Sequence, residues 1–443
     1  MAVKILRLLL LPCLFFAKSA WAVPEIQHWQ TDNGARVYFL PAMDLPMLDI
    51  NIVFDAGSAR DAGKAGLALL TNGMLSEGAA GKDAQFLAEQ FENVGANFGN
   101  GALKDMAMLT LRSLTEERYL NPALKNLKNI LTNPDFPETA FNRELGRMKI
   151  SLKARRQSPS SVASEAFVKN LYGDHPYASP TGGTEKSLNT MRLADLKAYY
   201  KKYYVAKNAV VAIVGKVTRQ QAEQISKDLF SGLAAGERVQ PLPEVKPLTE
   251  SKTIRIDFPS RQSHILMGQP GVKRGDKDYF TLYVANHPFG GSGFASRLMD
   301  EVREKRGLAY SIHSYFSPMR QLGPFQLGLQ TRNDQAQQAL DLVNAELKKY
   351  VVEGPKAEEL NASLKNITGG FPLRVDSNKK LVGYLAMIGF YDLPLNYMNE
   401  FVGKIKSVNI EMIKDALKRR VQPDKMLTVI VGAQTGSDTT KTH

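Results

Sequence analysis

The sequence has little cysteine: Cys13 is the single one in 443 residues. Cys13 lies in a segment that is typical of a cleavable signal peptide, with a basic start, an apolar run over residues 8–17 and small residues before a cleavage site at Ala22. The mature chain would then have no cysteine, which excludes disulfides and thiolate metal ligands. We expect an exported protein without membrane insertion, located in the periplasm, with secretion as the alternative.

Histidines are also few, and none of them is arranged for metal binding. No two stand at a spacing that is typical of a zinc site, and lone histidines are more often structural. The six are His28, His175, His264, His287, His313 and His443. We therefore predict no metal site in this chain.

The charge is strongly positive, but nothing in the sequence connects it to nucleic acid. The net charge of +13 becomes +10 if Lys4, Arg7 and Lys18 leave with the signal peptide. The remaining positive residues are spread over predicted helices, as in residues 149–156, which is typical of solvated helix faces. No nucleic-acid-binding motif accompanies them, so we expect no nucleic-acid partner.

The chain repeats one pattern at long range. Residues 196–215 and 413–432 each read as an amphipathic helix, a polar turn and a β-branched strand that ends in Val-Gly. Elements elsewhere keep nearly the same offset, which indicates a duplication rather than a short-period solenoid. The pattern predicts an α+β fold with two homologous lobes, each a mainly antiparallel sheet with helices packed on one face.

The domain boundaries follow from this repeat and from a proline-rich stretch near the middle of the chain. We predict a signal peptide over residues 1–22, a first domain over 23–234, a linker over 235–252, a second domain over 253–434 and a disordered tail over 435–443.

One stretch of the first half carries a family resemblance. Residues 56–68 and 74–78 resemble the surroundings of the zinc-binding helix in the pitrilysin/insulinase family of zinc peptidases. In that family, His-x-x-Glu-His supplies two zinc ligands and the residue that acts on the metal-bound water. Here Leu69 replaces the first histidine, Asn72 the glutamate and Gly73 the second histidine. The resemblance therefore implies a degenerate zinc motif.

The third zinc ligand of the family, a distant glutamate, is also missing. It is expected near residues 148–151, where the sequence has no carboxylate, and Glu144 lies one or two turns earlier as a possible relic. The chain is thus predicted to be inactive alone. An active peptidase with an unrecognised site would need ligands that the sequence does not show.

A second family motif is intact, over residues 290–311. It resembles the second-domain motif in which an arginine and a tyrosine reach the zinc domain, bind the substrate backbone and stabilise the charged tetrahedral species. These residues are Arg303 and Tyr310 here. Spacing alone favours Arg303 as one charge on an exposed helix and Tyr310 as a half-buried strand residue, whereas the flanking motif favours the functional interpretation.

The resemblance extends to bacterial two-subunit peptidases of the mitochondrial-processing-peptidase type, in which one subunit binds zinc and the other supplies the arginine and tyrosine. This chain has the pattern of the non-zinc-binding subunit. The implied partner is a paralogous zinc-binding subunit, zinc is expected there and not here, and the lobes enclose a cavity for a peptide or an unfolded polypeptide.

Substrates of the family pair with an edge strand by main-chain hydrogen bonds. The matching residues here are Asn97, Phe98 and Gly99, although an ordinary loop and edge strand would read the same way. The alternative function is a stand-alone peptide-binding or scaffold protein that captures peptides without chemistry.

Overall fold

The computed structural model describes residues 25–433. The predicted signal peptide and the predicted tail lie outside the described residues. Within residues 25–433, no helix is long and apolar enough to cross a membrane.

The first half of the chain builds a six-stranded sheet, with helices between its strands. The strand order is β1-β2-β8-β3-β7-β6, and β4 and β5 pair separately. The strands are β1 Gln27–Gln30, β2 Arg36–Pro41, β3 Met47–Phe54, β4 Gly78–Ala79, β5 Lys82–Asp83, β6 Asn97–Ala102, β7 Ala107–Leu114 and β8 Ala209–Gly215. The helices are α1 Leu67–Met74, α2 Ala84–Glu92, α3 Glu117–Thr132, α4 Glu138–Arg156, α5 Pro159–Tyr172, α6 Glu185–Thr190, α7 Leu193–Tyr203 and α8 Arg219–Phe230.

The second half repeats this plan with a five-stranded sheet, in the order β11-β12-β10-β13-β9. The strands are β9 Lys252–Asp257, β10 Gln262–Pro270, β11 Ser311–Phe316, β12 Pro324–Arg332 and β13 Leu427–Gly432. The helices are α9 Tyr279–Asn286, α10 Ala336–Glu353, α11 Ala357–Gly370, α12 Asn378–Phe390, α13 Tyr397–Lys406 and α14 Ile410–Arg420. Two wider π-helical stretches, His287–Gly291 and Met299–Glu304, follow α9.

The pairing of the strands confirms the predicted fold class. Every pair is antiparallel except β2 with β8 and β9 with β13. The strands that the repeat predicted, β8 and β13, occupy matching positions inside the two sheets and are buried along their whole length. Their near-continuous apolar sequence fits this position, because a strand covered on both faces has no solvent side to alternate with.

Each sheet is covered on its second face by one helix from the opposite half. Helix α12 packs on β8, β3 and β2 of the first sheet, and α5 packs on β13 and β10 of the second. Gly389 of α12 approaches so closely that a Cβ there would lie 2.4 Å from the ring of Tyr38. Phe167 and Leu171 of α5 make the reciprocal contact with Val429 of β13. Each half therefore supplies a helix that covers the sheet of the other half.

A buried carboxylate, Asp105, joins the halves by hydrogen bonds. The Tyr177 hydroxyl donates to its Oδ1 at 2.6 Å, and the Tyr391 hydroxyl and the Arg320 backbone N–H donate to its Oδ2 at 3.0 and 2.8 Å. Burial raises the pKa of the Tyr177 and Tyr391 hydroxyls, so both keep the protons that they donate. Asp105 and Tyr177 belong to the first half, and Arg320 and Tyr391 to the second.

The segment between α8 and β9 has no helix or strand, but it is packed rather than free. Leu242 and Val245 are buried beside α5, and the Gln321 side chain donates to the Leu242 carbonyl at 2.9 Å. The predicted linker thus crosses the junction of the halves as part of the core.

Candidate functional site

Helix α1 contains the degenerate zinc motif, and Asp61 fixes its first turn. Both oxygens of the Asp61 carboxylate accept backbone N–H groups, from Gly66 and Ala68, each at 2.8 Å. Gly66 has a φ of +92°, which favours glycine at this entry to the helix. Burial raises the pKa of Asp61 to about 7 and lowers that of the nearby Lys104 to about 8. The start of α1 is therefore rigidly held in an apolar setting.

Of the three positions of the predicted degenerate zinc motif, two are occupied by residues that pack in the core. Asn72 is fully buried, and its side-chain amide donates to the Tyr204 hydroxyl at 3.1 Å and to the Met108 carbonyl at 3.3 Å. Leu69 is half-buried and packs against the core of the first half. Gly73 leaves open space, since no neighbouring heavy atom lies within 4 Å of where a Cβ would be. None of these three residues offers an imidazole or a carboxylate.

Helix α4, which would carry the third ligand, packs against α1. The Met148 side chain lies 3.1 Å from the Cβ position of Gly66. Glu144 is engaged with arginines of its own helix, at 3.1 Å from Arg143 and 3.0 Å from Arg147. Across residues 25–433, no group of three His, Cys, Asp or Glu side chains is placed to hold a metal ion.

The predicted substrate-binding residues lie on β6, at the edge of the first sheet. β6 pairs with β7 on one side only, so its other side presents unpaired backbone groups. Asn97 is exposed, and Phe98 stacks on Phe91 of α2 at 5.0 Å between ring centroids. The side chain of Asn100 donates to the Asn72 carbonyl at 2.7 Å, which ties this edge to α1. The geometry can accept an extended peptide.

Arg303 lies near two exposed aromatic rings. Its guanidinium carbon is 5.1 Å from the ring centroid of Phe294 and 5.9 Å from that of Tyr310. Phe294 is 76% exposed and Tyr310 is 72% exposed, although rings of this size are usually covered. These distances are in the range of cation–π contacts. Arg303 Nη1 also donates to the Met299 sulfur at 3.9 Å, which is a weak acceptor, so an oxygen acceptor would be a better partner for this group.

Two acidic residues near Arg303, Asp300 and Glu301, are engaged by other cations. Lys305 and Arg306 both bond to Glu301, each at 2.7 Å, and hydrogen bonds from Lys305 and Arg306 lower the pKa of Glu301 to about 2. The nearest carboxylate contact of Arg303 itself is 3.7 Å away, on Glu304. Arg303 thus remains free to meet an anionic or carbonyl oxygen from outside.

The backbone after Arg303 brings Tyr310 back beside it. The Gly307 N–H donates to the Arg303 carbonyl at 2.8 Å, and Gly307 has a φ of +62°, which a residue with a side chain rarely adopts. The chain then enters β11, whose first backbone bond is from the Tyr310 N–H to the Gln330 carbonyl at 3.0 Å. At the other end of the motif, Arg297 is anchored to Glu359 at 2.7 Å.

The structure groups the predicted residues into two sets. Leu69, Asn72 and Gly73 lie beside the β6 edge, whereas Arg303 and Tyr310 lie together in the second half. Between residues 25 and 433, no hydrogen bond, ion pair or ring contact joins Arg303 or Tyr310 to α1 or β6.

Sequence reasoning missed three residues of these sites: Asp61, Asp105 and Phe294. Asp61 had a readable signal, because an acidic residue five positions before a Gly-Leu helix start is well placed to cap it. Phe294 lies inside the second motif but is not one of its polar residues. Asp105 gives no local signal, since its partners are far away in sequence.

Comparison with known protein families gives two matches that together cover most of the described chain. Residues 46–185 match the model for "Insulinase (Peptidase family M16)", and residues 190–367 match that for "Peptidase M16 inactive domain". The boundary between the two matches falls near the start of α7.

Similar proteins carry both active and inactive descriptions. A solved structure titled as a peptidase M16 inactive domain from Pseudomonas fluorescens is 40% identical, with a TM-score of 0.89, over 93% of this chain and 99% of that one. A "Non-peptidase homolog YmxG" of Helicobacter pylori is 26% identical over 87% of this chain and 89% of its own length. An "Uncharacterized zinc protease YmxG" of Bacillus subtilis is 24% identical over 91% of this chain and 98% of its own.

Proposed function

The chain belongs to peptidase family M16, the insulinase family, and on that premise we propose that it is the non-catalytic subunit of an exported, zinc-dependent peptidase heterodimer. The inactive M16 descriptions of its relatives agree with a non-catalytic role. The partner would be a zinc-binding paralogue. The signal-like sequence before residue 23 supports action in the periplasm.

The loss of the zinc site supports the assignment of the chemistry to another subunit. The side chains at Leu69, Asn72 and Gly73 cannot bind zinc, and Asn72 is committed to hydrogen bonds in the core. Restoring a metal would require undoing those contacts. The zinc-activated water must therefore come from the partner.

The single observation that carries the proposal is the open guanidinium of Arg303. Arg306 and Arg297 each make a carboxylate contact at 2.7 Å. Among the described residues, the carboxylate contact of Arg303 is the longer one to Glu304 at 3.7 Å, and Arg303 lies beside two rings that stay exposed, although leaving large apolar surface in water is unfavourable. In the heterodimer, Arg303 and the Tyr310 hydroxyl donate to the substrate carbonyl and to the oxyanion that develops from it.

The β6 edge supplies the second part of the function, which is to hold the substrate. An extended peptide or unfolded polypeptide pairs with the backbone of Asn97, Phe98 and Gly99 and adds a strand to the first sheet. In this arrangement the chain contributes binding on one side of the shared cavity, while the zinc subunit cleaves.

The test begins with the isolation of the tagged protein from its native envelope fraction. A stoichiometric companion of similar size with His-x-x-Glu-His, and about one zinc per pair, is expected. Arg303→Ala in the purified complex should lower kcat/KM by about 10²-fold, the usual loss for one oxyanion donor, without changing zinc content or subunit association. Tyr310→Phe should have a smaller effect in the same direction.

Arg306→Ala is the matched control, because Arg306 is three residues away but bound to Glu301. Its turnover should stay near that of the parent complex. Unchanged turnover in both Arg303→Ala and Tyr310→Phe would remove the catalytic contribution. Purification of this chain alone, with calorimetric binding of peptides, would favour the stand-alone peptide-binding role instead.

A further inference from the structure

A separate open cavity of about 550 Å³ lies in the second half, beside the first turn of α12. Its wall includes four cationic side chains: Arg274, Arg374, Lys379 and Lys380. No aspartate or glutamate is among the described residues that line it. The cavity therefore combines a concave shape with charge of one sign.

Three of these four cations have no carboxylate partner within the described chain. Lys380 is neutralised by Asp376 at 2.9 Å. No ion pair within residues 25–433 involves Arg274, Arg374 or Lys379. Most of the other arginines in the second half of the chain do form one. Self-repulsion between such groups is unfavourable unless an anion offsets it.

Aromatic rings hold the two guanidinium groups in place. Arg274 lies 5.5 Å from the ring centroids of both Tyr279 and Tyr391, and Arg374 lies 5.7 Å from that of Tyr283. The Nε atom of Arg274 is buried and has no acceptor among the described residues. A buried N–H of a charged group without an acceptor is costly, so an anion bound at the other nitrogen atoms of this guanidinium would offset part of that cost through its charge.

Polar and apolar groups complete the lining. Tyr279, Tyr384 and Tyr397 are part of the wall, and their hydroxyls are of the kind that can donate to an anion. Leu373, which is 68% exposed, stands at the same cavity. The site thus offers several donors beside an apolar residue.

We propose that this cavity binds a phosphate group, and that Arg274, Arg374 and Lys379 are its charged ligands. A carboxylate brings one negative charge and two oxygens, whereas a phosphate monoester brings nearly two charges and three terminal oxygens. Three unpaired cations match the phosphate better. Guanidinium groups also suit it, because they bond two oxygens at once.

The phosphate could be a free anion or the head group of an anionic phospholipid, and the experiment separates these sources. Purified protein is titrated calorimetrically with inorganic phosphate at constant ionic strength. In parallel, it is sedimented with vesicles of phosphatidylglycerol in phosphatidylcholine and with vesicles of phosphatidylcholine alone. Binding in the first assay identifies free phosphate, and selective binding to the anionic vesicles identifies a lipid head group.

The variant Arg374→Gln should weaken whichever binding is seen by about tenfold or more, the loss expected for one charge-assisted contact. Arg374 is exposed and has no ion pair, so the variant should keep the parental melting temperature. Arg261→Gln is the matched control, since it removes one exposed, unpaired arginine that does not line the cavity. It should leave binding within about twofold.

Two outcomes would overturn the proposal. One is the absence of binding in both assays. The other is an equal loss in Arg374→Gln and Arg261→Gln, because the effect would then be that of net charge and not of a site. Lys379→Gln provides a second check and should behave like Arg374→Gln.

Discussion

The region around α1 in the first half and the region around Arg303 in the second half differ in where their polar groups make contacts. At α1, the polar contacts are directed into the protein: Asp61 caps the helix, and the Asn72 amide nitrogen donates to Tyr204, although Asn72 Oδ1 has no hydrogen-bond partner among the described residues. At Arg303, Glu301 is engaged by neighbouring cations, while two exposed rings lie beside the guanidinium. The first region therefore makes its polar contacts within the core, whereas the second presents a cation and two aromatic rings at the surface.

The largest expected effect on stability tests whether the two halves of the chain unfold as one cooperative unit. Asp105→Ala should lower the free energy of unfolding by about 3–5 kcal/mol, because it leaves two buried hydroxyls and one backbone N–H without an acceptor. Urea denaturation monitored by fluorescence and circular dichroism measures the change. Asp376→Ala is the control, since that carboxylate is exposed and paired only with Lys380, and it should cost less than about 1 kcal/mol. A loss below 1 kcal/mol in Asp105→Ala would show that the halves are stable separately.

A smaller effect on stability, which depends on pH, tests the raised pKa of Asp61 at the start of α1. Burial raises the pKa of Asp61 from 3.8 to about 7, so the folded state binds more protons than the unfolded state between these values. Stability from this group is therefore greatest at low pH and falls as pH rises from about 4 to about 7. Asp61→Asn should remove that decline, and its stability relative to the parent should rise by about 3 kcal/mol across this range. The measurement is paired urea melts at several pH values, with Asp44→Asn, which makes the same change at an exposed aspartate, as the control. A constant difference between parent and Asp61→Asn would contradict the raised pKa.

The smallest effect asks whether α1 is free of functional constraint. Gly73→Ala should raise the free energy of unfolding by about 0.5–1 kcal/mol, because alanine favours the helix and nothing lies within 4 Å of the added methyl group. Thermal melts would measure the gain. Gly389→Ala is the contrasting variant and should be destabilising, since its methyl group would collide with Tyr38 and Val210. A destabilised Gly73→Ala would mean that the open space is needed by the fold.

Much of the fold could be predicted because it depends on local patterns. The apolar runs of β8 and β13, the polar turns before them and the long offset between them are readable in one dimension. The degenerate motif and the Arg303 motif could be found because they are contiguous. The edge strand at Asn97 is expected from the family resemblance, and β6 does lie at the edge of the first sheet.

The remainder depends on contacts that no local pattern encodes. In the sequence, Asp105 resembles an ordinary residue of a surface loop. Its role depends on contacts with Tyr177, Arg320 and Tyr391, which are distant in sequence. The wide-turned helix Met299–Glu304 and the reversal at Gly307 set the distance from Arg303 to Tyr310, which sequence spacing alone does not fix. The cavity at Arg374 likewise forms from α9, α12 and α13, which meet only in the folded chain.

The exchange of α5 and α12 between the sheets has a consequence for the order in which the protein can mature. During translation, the strands of the first sheet are synthesised long before α12, the helix that covers one of its apolar faces. That face stays uncovered until the chain has been synthesised as far as Phe390. The nascent first half therefore exposes this apolar face until late in translation and is prone to aggregate during that time. Such a delay would suit the export that we propose, because a chain that is still unfolded can be translocated before both halves fold together.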